Sequence, residues 1–120
     1  MRSLAAATKG GAPIFAALGD ETRLRIVARL SQGGALSIVR LTDGEAMSRQ
    51  AITKHLAVLA DAGLVRDVRR GRERLWELEP EPLLAARRYL DLVSERWNTA
   101  LARLARLVES DDASGGSSGR

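Results

Sequence analysis

The chain has no cysteine among its 120 residues. That excludes disulfides, thiolate metal ligands and cysteine nucleophiles, and it leaves the redox compartment unread. Aromatic residues are scarce, two Trp with one Tyr and one Phe, so the core must be built from Leu, Ala, Val and Ile, a composition that suits helices. With a single histidine, no glycine-rich phosphate loop and no paired acid–base spacing, an enzyme is not expected. No stretch approaches the ~18 continuous apolar residues of a membrane span. The opening MRSLAAATKG lacks the long apolar segment and cleavage pattern of a secretory signal, so the chain reads as cytoplasmic.

What is present is arginine, seventeen against two lysines, and it is unevenly placed. Between Arg49 and Arg74 there are seven Lys/Arg against three Asp/Glu, while the rest of the chain holds twelve of each sign, so the formal +4 resides in this stretch. A basic patch confined to one helix and one hairpin is the electrostatic footprint of a duplex-binding module.

The chain is long enough for one domain. Residues 1–12 are small and aperiodic and read as a flexible arm. Pro13 is placed at the first position of a short helix ending at Leu18. Asp20 is the expected N-cap of a helix from Glu21 to about Leu30, with Leu24, Val27 and Leu30 on its apolar face. Leu36-Ser37-Ile38 reads as a brief extended stretch leading into a short helix to Asp43. Ser48 is the expected cap of a helix from Arg49 to about Ala62, with Ile52, Leu56 and Leu59 inward and Gly63 as its left-handed stop. Around Arg70-Gly71-Arg72 the period changes to that of an antiparallel hairpin spanning Leu64 to Leu78. Pro80 and Pro82 then start a helix of roughly 40 Å running to about Glu109, and residues 110–120 read as a flexible tail. The expected fold is therefore mainly α with a small β-hairpin. It is a winged helix-turn-helix over residues 13–109, with a long C-terminal dimerisation helix.

Three blocks resemble a known family in the right order and spacing. Ala17-Leu18-Gly19-Asp20-Glu21-Thr22-Arg23-Leu24-Arg25-Ile26 resembles the opening of the ArsR/SmtB repressors. Ser48-Arg49-Gln50-Ala51-Ile52-Thr53-Lys54-His55-Leu56 resembles their recognition helix, and Ala62-Gly63-Leu64-Val65 followed by Arg70-Gly71-Arg72 resembles their wing entry. The Tyr89-Leu90-Asp91 and Trp97-Asn98-Thr99-Ala100-Leu101 stretches are similar to a branch not typified by metal sensing. In metal-binding members a box on the third helix supplies two cysteines. Here Ser37 and Val39 stand in those positions, and neither is a soft ligand. The terminal helix carries Asp91, Glu95 and Glu109 but no histidine. Neither a metal nor another cofactor is expected.

The resemblance implies a DNA-binding transcriptional regulator, a homodimeric repressor on promoter DNA. Arg49, Gln50, Thr53 and Lys54 lie away from the inner face of their helix. Arg49 suits guanine, Gln50 adenine, Thr53 a thymine methyl and Lys54 a phosphate. Ser48 is both cap and phosphate contact. Arg70 and Arg72 flank the turn glycine and are expected on the backbone or in the minor groove, whereas Arg69 and Arg74 can turn back to pair with carboxylates. His55 reads first as a packing or hydrogen-bonding residue; the resemblance puts it at the edge of the DNA face, open to a phosphate contact. Leu90, Val93, Trp97, Leu101 and Leu104 recur at intervals of three and four, an apolar seam for a second copy, with Phe15 on the first helix beside it. Expected partners are double-stranded DNA at the nucleoid and a second copy, with a small-molecule effector left open. The competing reading is a winged-helix protein-interaction module or a nonspecific architectural DNA binder.

Overall fold

The polypeptide folds into five helices and three short strands in the computed structural model, which describes residues 4–115 and side chains from Leu4 to Ser110. In chain order these are α1 (Leu4–Leu18), α2 (Glu21–Gly33), β1 (Leu36–Ser37), α3 (Ile38–Thr42), α4 (Arg49–Asp61), β2 (Val65–Arg70), β3 (Glu73–Leu78) and α5 (Pro80–Gly115). This is the winged helix-turn-helix order, mainly helical with a small antiparallel sheet and a long terminal helix.

The N-terminal segment departs from expectation. Residues 4–12 are not a flexible arm but the first turns of α1, and Pro13 lies inside that helix rather than at its start; residues 1–3 lie outside the described residues. Glycine and proline disfavour a helix interior by about 1 and 3 kcal/mol respectively, so Gly10-Gly11 and Pro13 hide the helix from local reading. Tertiary packing overrides them. Ala7, Gly11, Ile14 and Ala17 recur at helical spacing and are buried, and the Phe15 ring meets Tyr89 of α5 with centroids 5.7 Å apart.

Helix α2 begins where Asp20 Oδ2 accepts the Arg23 backbone N–H at 3.0 Å. It buries Thr22, Ile26 and Leu30, and Leu24, expected inward, is 51 % exposed. Two residues advance a helix by about 200°, so Leu24 and Ile26 cannot both face the core, and the packing selects Ile26. The α4 inner face is as expected: Ile52, Leu56 and Leu59 are fully buried. Ser48 Oγ accepts the Ala51 N–H at 3.1 Å, and Gly63, at φ 77°, turns the chain left-handed out of the helix.

The sheet order is β1-β3-β2, all antiparallel. The expected extended stretch at Leu36 is thus a third strand, with Leu36 opposite Trp76. The β2–β3 register pairs Val65 with Leu78 and Arg70 with Glu73, leaving Gly71 and Arg72 as a two-residue reversal. Gly71 has φ 62°, the positive value such a tight turn needs at its first central position. Helix α5 continues beyond Glu109 to Gly115, so residues 110–115 of the expected tail are helical; residues 116–120 lie outside the described residues. Its first turns reach the core through Ala86, with Leu83 and Ala85 beside it. No helix among the described residues is long and apolar enough to cross a membrane.

Leu56→Ala is expected to destabilise the fold by about 3 kcal/mol through lost transfer energy and the residual cavity, whereas Leu24→Ala should stay within ~0.5 kcal/mol. Urea unfolding with an unchanged m-value measures both.

Candidate nucleic-acid interface

Because α4 gives its apolar face wholly to the core, its other face must meet solvent. Arg49, Gln50, Thr53 and Lys54 are exposed there and together line one shallow depression. The four expected base- and phosphate-reading side chains are therefore brought together, at the helix end that Ser48 caps. The Thr53 hydroxyl donates to the Arg49 carbonyl at 2.9 Å, which engages its polar atom within the helix and leaves the methyl for apolar contact. Arg49 also borders a second recess with Val39, Arg40 and Gly44. Arg40 on α3 is thus a missed member of the basic face. Its place on α3, the other helix of the helix-turn-helix, is the signal that points to it.

His55 is not in that group. Its ring is only 19 % exposed and faces the start of α2, with Nδ1 3.2 Å from Arg23 Nη1 and 3.7 Å from Asp20 Oδ2. A guanidinium only donates, so Nδ1 accepts in that contact. Arg23 also donates through Nε to the Ala17 carbonyl, tying the end of α1, the cap of α2 and the back of α4 at one point. The Arg23 backbone N–H holds the Asp20 carboxyl below its ordinary value. His55 supports the recognition helix from behind.

Two arginines of α2 that were not expected to matter set the turn before α4. Arg29 donates to the carbonyls of Arg40, Leu41 and Asp43, satisfying oxygens that α3 leaves open at its C-terminal end. Arg25 forks onto Glu45, with Nε 3.1 Å from Oε2 and Nη2 2.9 Å from Oε1. The Glu45 side chain is only 9 % exposed. The Arg25 hydrogen bonds lower the Glu45 carboxyl below its ordinary range and raise the Arg25 guanidinium. Helix propensity and period carry no signal for such contacts, because both arginines look like surface charge in sequence.

The wing divides its arginines by position. At the base, Arg66 pairs with Glu77 and Glu79, each at 2.8 Å. In the middle, Arg74 pairs with Asp67 at 3.0 Å and lies over the Trp76 ring at 4.8 Å. Arg69 stands directly opposite Arg74, an unfavourable like-charge placement that Asp67 relieves on one side only. At the tip, Arg70 and Arg72 are exposed. Arg69, Arg70 and Arg72 have no ion-pair partner among the described residues. The outward cations are thus the tip pair that was expected, plus Arg69, while Arg74 turns back to a carboxylate.

The proposed dimer residues lie apart from this surface. Phe15 is half-buried against the core and Tyr89. Leu90, Val93, Trp97, Leu101 and Leu104 are 39–63 % exposed on α5.

A family model described as a helix-turn-helix domain matches residues 18–68, from the end of α1 through the first strand of the wing. Over 95 residues the chain is 40 % identical to the HTH-type transcriptional regulator Rv2034 of Mycobacterium tuberculosis, covering 79 % of this chain and 85 % of that protein. It is 33 % identical over 98 residues to the arsenical resistance operon repressor of Escherichia coli, covering 81 % of this chain and 80 % of that one. Among solved structures it is similar to an ArsR-like transcriptional regulator from Rhodococcus sp. RHA1, at a TM-score of 0.70 and 35 % identity, covering 82 % of this chain and 92 % of that one.

The Glu45–Arg25 fork gives a pH test. A carboxyl whose folded value is depressed contributes stability that is full above its ordinary value of 4.5 and is lost as pH falls through the folded value. Glu45→Gln should lower the urea midpoint at pH 7 and flatten its decline as pH falls below 4.5. An unchanged midpoint at pH 7 would show that the fork adds nothing.

Proposed function

This chain belongs to the ArsR family of winged helix-turn-helix, DNA-binding transcriptional regulators, a non-enzymatic family, and from that premise we propose that it acts as a homodimeric repressor. In this reading it recognises an inverted repeat in promoter DNA and is not triggered by a metal. The observation that carries the DNA half is the pairing, on one module, of a capped polar helix face with unpartnered arginines at the adjacent wing tip. The recognition helix enters the major groove, where Arg49 contacts guanine O6 and N7, Gln50 contacts adenine, and Thr53 meets a thymine methyl. Ser48 and Lys54 hold phosphates. Arg70 and Arg72 follow the backbone or enter the minor groove, where cations are favoured.

One recognition helix supplies few base contacts, so two half-sites are needed for useful affinity and selectivity. The exposed α5 seam supports pairing: Trp97 is 63 % exposed although it is the largest apolar side chain on that face. A twofold pair places its half-sites ~34 Å apart, or a multiple of that, on the duplex. Repression then follows from occlusion of the promoter by a cytoplasmic, nucleoid-associated dimer.

The metal trigger of cysteine-bearing relatives does not fit these residues. Ser37 Oγ accepts the Arg40 N–H at 3.3 Å as the cap of α3, Val39 is 54 % exposed, and neither offers a thiolate.

Titration of the protein's own upstream DNA against random duplex at about 150 mM salt tests the reading, since nonspecific binding collapses there; equal affinities would make it an architectural binder. Arg72→Ala should weaken binding to every sequence and reduce the salt slope by about one unit, while Gln50→Ala should relax preference at one base position, worth about 1–3 kcal/mol. Indistinguishable behaviour of the two variants would remove this division of labour. Trp97→Asp should sediment as a monomer; a persisting dimer places the interface elsewhere.

A further inference from the structure

A second concave site lies away from the DNA face, between the first half of α1 and the N-terminal half of α5. It encloses about 340 Å³, at the small end of ligand pockets and matched to one ring or a short chain. Its floor is apolar: small residues Ala7, Gly10 and Gly11 from α1 and Ala85 from α5, with Leu92 of α5 beside them. The two glycines weaken α1 by roughly 1 kcal/mol each relative to alanine. Close helix approach does not require the second of them. A Cβ built at Gly11 would meet only the ring of Phe15, on its own helix, at 3.4 Å. Both glycines line the cleft with bare backbone.

The mouth carries charge. Arg88, Asp91 and Glu95 line it, and none of the three has an ion-pair partner among the described residues. Asp91 and Glu95 stand one turn apart on α5, a like-charge spacing that is mildly unfavourable until a cation lies between them. Tyr89 forms the wall next to them, with its hydroxyl 3.3 Å from Thr8 Oγ1, and its ring face favours a cation. With two carboxylates against one guanidinium, the rim is net negative. None of Leu90, Val93, Trp97, Leu101 and Leu104 lines the cleft. On an α-helix Asp91 and Glu95 lie about 200° from Val93 and Trp97, so the charged rim and the α5 seam occupy different sides of the helix.

We propose that this cleft binds a small amphipathic amine, its apolar body on the Ala7–Gly11–Leu92 floor and its ammonium between Asp91 and Glu95 against Tyr89. The site goes beyond DNA recognition and stands whether or not the operator reading holds.

The test uses ¹⁵N-labelled full-length chain and three probes of one shape: phenethylamine, neutral 2-phenylethanol and anionic 3-phenylpropionate. Phenethylamine should perturb the amides of residues 7–11 and 85–95 and bind at least about tenfold tighter than the other two, a difference of ~1.4 kcal/mol. Asp91→Asn with Glu95→Gln should abolish that preference while leaving 2-phenylethanol binding unchanged. Gly10→Leu, which favours the helix and fills the floor, should eliminate binding of all three with the thermal transition retained. Equal binding of the alcohol or the acid, an amine affinity unaffected by the double substitution, or no saturation by about 10 mM would overturn the proposal. Perturbations that grow with protein concentration and vanish in Trp97→Asp would also overturn it, assigning the cleft to a second copy.

Discussion

Three side chains of α4, Ile52, Leu56 and Leu59, are wholly withdrawn from solvent, and the other elements are arranged to keep them so. α2 covers them with Ile26 and Leu30, α3 with Leu41, the wing entry with Leu64 and Val65, and α5 with Ala86. The functional consequence lies on the opposite side. A helix whose apolar stripe is fully committed has one rotation about its axis, and that rotation turns Arg49, Gln50, Thr53 and Lys54 outward. Base reading tolerates little error in helix rotation, because bidentate contacts have fixed geometry. Core burial here sets binding geometry as well as stability.

Rotation alone does not set where the helix starts. That falls to polar contacts from α2, the element the chain lays behind the helix-turn-helix. Arg29 holds three carbonyls around the end of α3, Arg25 holds Glu45 in the turn, and Arg23 with Asp20 meets His55 on the back of α4. Each contact involves a charged group, and such bonds are stronger than neutral ones; those of Arg23 to His55 and of Arg29 to the Leu41 carbonyl are also partly buried. An arginine-rich surface on this protein therefore has two populations. One set is engaged in holding the turn and the wing base, and the other, Arg40, Arg49, Arg69, Arg70 and Arg72, has no ion-pair partner among the described residues on the side proposed to face DNA.

Much of this was legible in sequence wherever the signal is local. The caps at Asp20 and Ser48, the stop at Gly63, the reversal at Gly71 and the inner face of α4 each rest on one residue type in one required conformation or on a clean period. The errors share another cause. Helix α1 was hidden because Gly10, Gly11 and Pro13 oppose it locally and only packing against α5 restores it. Leu24 and Ile26 are equally apolar, so nothing local selects between them. His55 and the α2 arginines act through partners 11 to 32 residues away in sequence, a distance over which composition and period say nothing. The candidate site was readable because it is a helix face and a turn. Its supports were not, because they are side-chain contacts between elements.

Helix α5 joins the functions that the rest of the fold keeps apart. At 36 residues it extends roughly 54 Å, but past Leu92 every described side chain on it is exposed. Leu, Ala and Arg favour helix intrinsically, which explains why the projecting turns persist without a neighbour, yet in proteins most helical stability comes from packing an amphipathic face. Their apolar stripe gains stability only when covered. The segment proposed to meet a second copy is thus the continuation of the segment that forms one wall of the cleft, and its first turns reach the core. If α5 pairs as proposed, any change in the angle between α1 and α5 would be carried along the helix to that seam, and from there to the separation of the two recognition helices. The coupling requires only that α5 stay straight, and it contains no proline beyond Pro82 to let it bend.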